Sequence, residues 1–444
     1  MRTRRGYGAC ILLWSVAQFL AGTGAYAQQL AADTAVRRCA TMEAYHFGLQ
    51  GKKMASDPLR AINERITEVV RNRRNLRVND TEIIRIPVVV HVIHNQSSGK
   101  IGGRGNPNIS EEQILSQVRI LNEDYRKQAG TPGYNTDPVG VDTRIEFFLA
   151  ELDPDGSATN GITRHYYSQK STFNPYGDEQ LIADIVSWPT DEYLNIWVCT
   201  LSGVYLGVAQ FPSVTGIPGL DDQDKNRATT DGVIIDYRSF GDVGAVETNN
   251  YNKGRTTTHE VGHWFGLIHI WGDERCGDDY CADTPKAESS NTSGCNDVYS
   301  RCSGAATLNM IENYMDYSPD RCMNIFTYNQ MERMHAVLAL SPRRIRLVEN
   351  SKKARLEEAE TLRVIIQPNP LVSKLLEFKL QHKGYRDVDI TIIDAQGKAV
   401  HVSRYEKVWS RIFKIPVQNL TPGIYLLQIL GENNEKFIGR FAVI

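Results

Sequence analysis

The stretch from His259 to His269 contains three histidines, Glu260 and Gly266 in the pattern H-E-x-x-H-x-x-G-x-x-H. On a helix, side chains four residues apart lie on one face, so His259 and His263 can direct two imidazole nitrogens to one point. Imidazole nitrogen is a preferred ligand of zinc, which in catalytic sites has three protein ligands and one open position. We therefore predict that this stretch holds a catalytic zinc ion.

The other positions of the motif complete such a site. A helix that continued past His263 would carry His269 far along its axis, but Gly266 can adopt the left-handed conformation that ends a helix and lets the chain turn back. Glu260 lies about 100° round the helix from His259, beside the open position. There a carboxylate can take a proton from an attacking water and pass it to a leaving amine. A core helix with chance histidines is the alternative, and five matching positions argue against it.

The composition is that of an ordinary globular protein of two or three domains. The chain has 444 residues, of which 41% are hydrophobic and 23% charged. A net charge of −2 gives no reason to expect nucleic acid or an anionic membrane surface as a partner. Beyond the N-terminus, no apolar run approaches the roughly twenty residues that span a bilayer, so we expect no transmembrane segment.

Residues 1–27 have the pattern of a signal peptide. Three arginines precede a mostly apolar run at 9–21, and Ala25-Tyr26-Ala27 is an A-x-A cleavage site. A membrane anchor is the alternative, but the run is too short. Eight cysteines fit export. Apart from Cys10 and Cys39, six remain, and the residues alone leave their pairing open.

The surrounding pattern predicts an α/β catalytic domain over residues 78–348. A buried strand at 86–94 is followed by a helix that begins with a capping box at Ser110, and further strands are predicted at 145–150, 194–201, 208–211 and 232–237. His91 and His94 are expected to be core or strand-edge residues. Residues 28–77 are polar and helix-prone and end in a basic cluster at 71–77. This is typical of a pro-segment with a cleavable junction, although a solvated helix end is the alternative.

The composition changes again after the catalytic domain. Residues 349–362 read as a linker, and 363–444 contain short alternating runs at 364–366, 376–380, 388–393, 412–415, 424–430 and 437–443, separated by turn signals. Short strands at regular spacing predict a small all-β sandwich.

The zinc motif and the downstream Asn313-Tyr314-Met315-Asp316-Tyr317 resemble the metzincin zinc peptidases, and more narrowly the pappalysin family with its cytophagalysin- and ulilysin-like members, over about residues 35–345. The resemblance implies a metzincin-type domain, with a twisted mixed sheet and an active-site helix. It also implies a secreted zinc-dependent endopeptidase that hydrolyses protein and peptide substrates. Met315 then belongs to the Met-turn beneath the metal, and Tyr317 is a catalytic tyrosine that helps to stabilise the oxyanion.

Two further residues take their expected roles from this resemblance. Cys39 lies in a segment similar to the cysteine switch of pappalysin zymogens, although the family usually has glycine where this chain has Ala40. A thiolate at the open zinc position would keep a zymogen silent, and an unpaired buried thiol is the alternative. Asp320 matches the floor of the pocket that selects Arg or Lys immediately after the scissile bond, and a turn aspartate is the alternative.

The resemblance also implies disulfides Cys276–Cys302 and Cys295–Cys322, which leaves Cys199 and Cys281 as a third pair. The acidic loop 277–284 resembles a calcium-holding region of ulilysin-like enzymes. The candidate Ca²⁺ ligands are Asp279, Asp283 and Thr284. A solvated acidic loop explains the same residues, and their spacing matches no EF-hand.

The final domain resembles the C-terminal sorting domain of the type IX secretion pathway of Bacteroidetes-like bacteria. The matching segments are Gln367-Pro368-Asn369-Pro370, Asp394-Ala395-Gln396-Gly397-Lys398, Pro422-Gly423-Ile424-Tyr425 and residues 436–444. This implies type IX secretion machinery as a partner and export across both membranes of a Gram-negative bacterium, to the medium or the cell surface. A carbohydrate- or protein-binding module is the rival interpretation of this domain.

Two other functions compete with a peptidase. One is a catalytically inactive zinc-binding surface adhesin, against which the intact Glu260 argues. The other is a non-proteolytic zinc hydrolase, against which the third histidine and the Met-turn argue.

Overall fold

The computed structural model describes residues 38–49, 57–75, 82–157, 159–213, 227–247, 250–292, 294–351, 362–371, 374–382, 386–408, 411–432 and 435–444. The predicted signal peptide and the charged part of the predicted linker lie outside these residues. Within the described part of the chain, no helix has the length and apolar character needed to cross a bilayer.

The described residues up to 351 contain seven α-helices and nine strands. The helices are α1 Thr41–Leu49, α2 Pro58–Asn75, α3 Glu111–Tyr125, α4 Glu179–Ile185, α5 Arg255–Trp264, α6 Tyr328–Leu340 and α7 Pro342–Asn350. The strands are β1 Arg38–Cys39, β2 Ile84–His94, β3 Ile145–Leu149, β4 Ile162–Tyr166, β5 Leu194–Cys199, β6 Tyr205–Ala209, β7 Gly232–Asp236, β8 Tyr299–Ser300 and β9 Thr307–Leu308.

A seven-stranded mixed sheet forms the centre of this region. Its order is β1-β6-β7-β5-β2-β3, with β4 also pairing β2. Only the β6–β7 pair is antiparallel within this sheet. The β2 strand is buried on both faces, which explains its nearly continuous apolar sequence. Its Val88, Val90 and Val92 pack into the main core with residues of α3 and α5. The predicted α/β architecture is confirmed.

Two histidines outside the motif have the structural roles predicted for them. His91 is fully buried in β2, where its ring nitrogens contact Thr163 Oγ1 at 2.7 Å and Asn195 Oδ1 at 2.9 Å. Burial lowers the pKa of His91 to about 3, so the ring stays neutral. His94 ends the same strand and is also buried.

The C-terminal region is a β-sandwich, as predicted. Strands β10 Arg363–Ile366, β11 Leu375–Gln381 and β14 Arg411–Pro416 form one sheet, while β12 Arg386–Ile393, β13 Ala399–Val408, β15 Gly423–Gly431 and β16 Lys436–Val443 form the other. Pairing within both sheets is antiparallel. Leu376 and Phe378 from the first sheet share one apolar core with Ile390, Leu427 and Phe441 from the second.

The cysteine pairing is partly as expected. Cys276 is bonded to Cys302 and Cys295 to Cys322, and these bridges hold the irregular segment after α5. The predicted Cys199–Cys281 disulfide is wrong, because both residues are buried free thiols. Cys199 ends β5 in an apolar cluster with Trp197 and Leu201. Cys281 lies in a loop, where the nearby carboxylate of Asp279 helps to raise the pKa of its thiol. Burial raises the pKa of both thiols, so neither forms a reactive thiolate readily.

Candidate metal centre and adjoining cleft

The active-site helix α5 and the turn that follows it bring three imidazoles together. His259 Nε2 and His263 Nε2 are 3.1 Å apart on one face of α5. The helix ends at Gly266, whose φ of +84° is left-handed, and the backbone N–H of Leu267 donates to Gly262 O at 3.0 Å. This turn returns His269, whose Nε2 lies 3.1 Å from that of His263. The predicted geometry of the motif is therefore present.

The Nδ1 atom of each imidazole lies next to a hydrogen-bond acceptor. His259 Nδ1 lies 2.7 Å from Tyr314 O, His263 Nδ1 lies 2.8 Å from Leu267 O, and His269 Nδ1 contacts Asp273 Oδ1. An acceptor at Nδ1 places the proton there and leaves the lone pair of Nε2 for a metal. Burial lowers the pKa of His259 to about 3 and that of His263 well below its ordinary value, which keeps both rings neutral.

These side chains fit a zinc ion. The ligand atoms of Cys39, His259, His263 and His269 all lie within 4.8 Å of one another, and no other such group of His, Cys, Asp or Glu occurs among the described residues. Imidazole nitrogen and thiolate sulfur are both usual zinc ligands, and three histidines with one open position are a known catalytic zinc set. Oε1 of the neighbouring Glu260 is buried and has no hydrogen-bond partner in the described part of the chain.

Glu260 contacts strand β6 and the N-terminal segment next to the three histidines. Its Oε2 accepts hydrogen bonds from Thr41 Oγ1 at 2.8 Å and from Cys39 Sγ at 3.4 Å. Gly207 of β6 is so close that a Cβ there would lie 2.7 Å from Glu260 Cγ. Burial raises the pKa of Glu260 to about 8, although the hydrogen bonds from Thr41 and Cys39 have the opposite, lowering effect. A carboxyl group with such a pKa can both accept and release a proton near neutrality.

The segment around Cys39 lies along the edge of the sheet. Strand β1 pairs with β6 in parallel, and the backbone N–H of Ala40 donates to Gly207 O at 2.8 Å. The N–H of Ala209 donates to Thr41 Oγ1 at 2.9 Å. Residues 38–41 therefore cover the edge strand, the metal ligands and Glu260 together.

A second part of the N-terminal region packs behind the metal centre. Ile62 and Ile66 of α2 share an apolar cluster with Ala336 and Val337 of α6. Arg74 forms an ion pair with Glu332. Arg333 is buried, and its Nη2 donates to Asn63 Oδ1 at 2.6 Å and to Gly266 O at 3.1 Å. Helix α2 is thus joined to the turn that delivers His269.

Met315 and Tyr317 lie beside the imidazoles. Met315 is fully buried beneath α5, where a Cβ on Gly262 would be 2.5 Å from its Sδ. The ring centroid of Tyr317 is 4.9 Å from that of His269 and 5.8 Å from that of His259. Burial raises the pKa of Tyr317 well above its ordinary value, so its hydroxyl stays protonated as a donor.

Asp320 lies in a cleft next to Glu260. The lining of the cleft includes Tyr251, Arg255, Thr256, Tyr317, Asp320 and Met323. The backbone N–H groups of Lys253 and Arg255 donate to Asp320 Oδ2 at 2.7 and 3.2 Å. Since α5 begins at Arg255, Asp320 also places a carboxylate at the N-terminus of the active-site helix. This second role could not be predicted from the sequence, because Asp320 is distant from α5 along the chain.

The candidate calcium ligands are bonded to protein donors. Asp279 accepts from the Thr284 hydroxyl at 2.6 Å, and Asp283 accepts from the Thr327 hydroxyl at 2.7 Å. Calcium binding by this loop stays a prediction.

Comparison with protein families identifies two regions. The model of the peptidase family described as pregnancy-associated plasma protein-A matches residues 176–339. The model of the secretion system C-terminal sorting domain matches residues 366–443.

Comparison with individual proteins gives relatives over the N-terminal region. An extracellular metalloprotease of Arthroderma otae is 33% identical over 254 residues, which cover 56% of this chain and 76% of that protein. The extracellular metalloprotease of Sordaria macrospora is 38% identical over 255 residues, covering 56% and 73%. Mature mirolysin of Tannerella forsythia, solved with a cleaved peptide, is 39% identical with a TM-score of 0.54, and the match covers 62% of this chain and 100% of that one. A promirolysin mutant from the same organism is 37% identical with a TM-score of 0.56, covering 71% and 99%.

Proposed function

The chain belongs to the pregnancy-associated plasma protein-A family of metallopeptidases, and we propose that its endopeptidase reaction takes place at the three histidines of residues 259–269 with Glu260 as the acid–base residue. The chain is a zinc-dependent endopeptidase. The observation that carries the proposal is the convergence of three Nε2 atoms, 3.1 Å apart in successive pairs, beside a buried carboxyl group.

The chemistry is divided between the metal and the side chains. When bound by the three histidines, zinc supplies a Lewis acid for the scissile carbonyl and lowers the pKa of water. Glu260 takes the proton of the attacking water and then donates it to the leaving amine. Tyr317, with its hydroxyl protonated, donates a hydrogen bond to the oxyanion of the tetrahedral intermediate.

The substrate adds as a strand to β6. Supporting this, β6 is the last strand of the sheet once β1 is set aside, and its Gly207 O and Ala209 N–H face that edge. Backbone hydrogen bonds to an edge strand fix the direction of a peptide without reading its side chains. The peptide bond is thereby held beside Glu260, which Gly207 nearly touches.

The side chain after the scissile bond enters the cleft that contains Asp320. A buried carboxylate favours Arg or Lys there, because a cationic side chain can form charge-assisted hydrogen bonds with it. Two observations support this: Asp320 is only 2% exposed, and the cleft is continuous with the surroundings of Glu260.

The enzyme is made as a latent zymogen. Cys39 supplies a fourth ligand to the metal, and the segment is released by cleavage in the basic cluster at 71–77. Residues 76 and 77 of this cluster lie outside the described residues. Cleavage before an arginine of this cluster agrees with the proposed preference, so activation and specificity use the same pocket.

The C-terminal sandwich is a secretion sorting domain. We propose that the type IX secretion machinery recognises it and moves the chain across both membranes of a Gram-negative bacterium. The relatives of the catalytic region are extracellular metalloproteases, which agrees with an exported enzyme.

The test compares residues 28–444 with and without the substitution Glu260→Ala. The unchanged chain is expected to lose its pro-segment and to cleave Arg-containing peptides, while the variant binds zinc but does neither. Equal cleavage by both proteins would overturn the assignment of Glu260. Zinc binding without cleavage by either would favour the inactive adhesin instead.

A further inference from the structure

The three metal-ligating histidines are not supported equally. His259 and His263 lie on α5, so the helix backbone fixes both Cα positions, and each Nδ1 faces a backbone carbonyl. His269 lies beyond the Gly266 turn in an irregular segment. Of the three, it alone faces a side-chain carboxylate, that of Asp273.

The backbone around Asp273 is shaped to bring its carboxylate to His269. Asp273 has a φ of +58°, a left-handed conformation that non-glycine residues rarely adopt. The preceding turn is closed by a hydrogen bond of 2.8 Å from Gly272 N to His269 O. A further hydrogen bond of 3.0 Å joins Gly277 N to Trp271 O. The adjacent Cys276 is bonded to Cys302, which restrains the same loop.

Trp271 restrains the same imidazole from its face. The indole and the His269 ring are stacked with centroids 4.3 Å apart and an interplanar angle of 6°. Tyr317 packs against Trp271 in turn, with the two ring centroids 4.8 Å apart. The plane of His269 is therefore set by Trp271, while its rotation within that plane is set by Asp273.

We propose that Asp273 is a positioning residue that holds His269 as the third zinc ligand. The carboxylate keeps the proton on Nδ1, directs Nε2 to the metal and makes the imidazole a stronger donor. A ligand on a loop needs this support more than two ligands on one helix turn. The inference rests on the proposed metal centre.

The test measures zinc affinity directly, by competition with a chromogenic chelator, in full-length protein carrying Glu260→Ala to prevent self-cleavage. Asp273→Asn is expected to weaken zinc binding by about ten- to hundredfold. Asparagine also tolerates the left-handed conformation, so the turn is kept. The matched control is Asp278→Asn in the same loop, where the carboxylate is exposed and accepts only from the N–H of Tyr280 among the described donors. This control is expected to leave zinc affinity unchanged.

A double substitution and a melting curve separate the positioning role from a structural one. In a chain that already carries His269→Ala, Asp273→Asn is expected to have no further effect on zinc affinity. The metal-free Asp273→Asn chain is expected to melt as the metal-free parent does. Unchanged zinc affinity in Asp273→Asn, or loss of the metal-free fold, would overturn the proposal. A parent chain that binds no zinc would instead refute the metal centre itself.

Discussion

The hydroxyl of Thr41 donates a 2.8 Å hydrogen bond to Oε2 of Glu260, and its oxygen accepts one of 2.9 Å from the backbone N–H of Ala209. One side chain thus binds both the proposed acid–base residue and the strand along which the substrate is proposed to lie. Cys39 is next to the metal ligands at the same time. The proposed latency therefore involves two contacts, and the sequence predicts only that of Cys39.

Replacing the hydroxyl of Thr41 is expected to weaken latency. Thr41→Val keeps the shape but leaves the buried Oε2 of Glu260 without this donor, which costs about 1–3 kcal/mol. We expect the pro-segment to be lost roughly ten times faster or more, as measured by mass spectrometry at fixed protein concentration. Thr41→Ser keeps the hydroxyl and is expected to match the unchanged chain. Identical rates for the valine and serine variants would show that this contact does not maintain latency.

Substitutions at Asp320 are expected to separate its two roles. Asp320→Asn keeps an oxygen that accepts from Lys253 and Arg255, so stability is largely preserved, while the preference for Arg over a neutral residue falls by roughly thirtyfold or more. Asp320→Ala also removes the acceptor at the start of α5 and is expected to cost about a further 1 kcal/mol. Paired peptides that differ only after the cut bond, together with thermal melting, measure both effects. An Arg preference that survives in the asparagine variant would remove Asp320 from the pocket.

The preference for basic residues is expected to depend on pH. Burial raises the pKa of Asp320 to about 6. The charge of Arg255 and the two backbone N–H donors lower the pKa, but their effect is smaller than that of burial. The Asp320 carboxyl is therefore mostly neutral below this pH and mostly anionic above it. The ratio of kcat/KM for an Arg peptide to that for its neutral counterpart should rise between pH 5 and 7. In Asp320→Asn the ratio should be flat, and a parallel rise in both proteins would contradict the explanation.

The turn at Gly266 is expected to tolerate no side chain. Its φ is +84°, and a Cβ would lie 2.8 Å from Val337 Cγ2. Gly105 is a matched control, because its φ is +69° and nothing lies within 4 Å of a Cβ placed there. Gly266→Ala should destabilise the fold by about 1–3 kcal/mol more than Gly105→Ala, since only the former adds a clash. Urea unfolding measures the difference, and equal losses in both variants would contradict it.

The pairing of two histidines on one face of the helix could be predicted because their spacing is local. His259 and His263 are related by the helix period alone, and Gly266 signals where that helix ends. Thr41, Asp273 and the helix-capping role of Asp320 could not be predicted, because each depends on segments brought together by the fold or on a turn conformation without a sequence signature. Strand β13 was missed although its residues alternate, and α6 was missed although Thr327 and Gln330 form a capping box.

The prediction of a Cys199–Cys281 disulfide failed for the same reason, because it too depended on which segments the fold brings together. Cys199 and Cys281 were paired only because four other cysteines had partners, whereas a disulfide requires proximity in space. Three cysteines are free among the described residues. Denatured, unreduced residues 28–444 that carry Glu260→Ala, and so keep the pro-segment with Cys39, should react with three equivalents of a thiol reagent. Reaction with only one equivalent would show that Cys199 and Cys281 are bonded to each other after all.

The most direct test of the central claim is a zinc titration of the processed enzyme after its metal has been removed by a chelator. Peptide cleavage should be absent in the metal-free protein and should rise linearly with added zinc to a plateau at one equivalent per chain. His269→Ala should give no such plateau under the same conditions, because the third ligand is missing. Full cleavage by the metal-free protein would contradict the account.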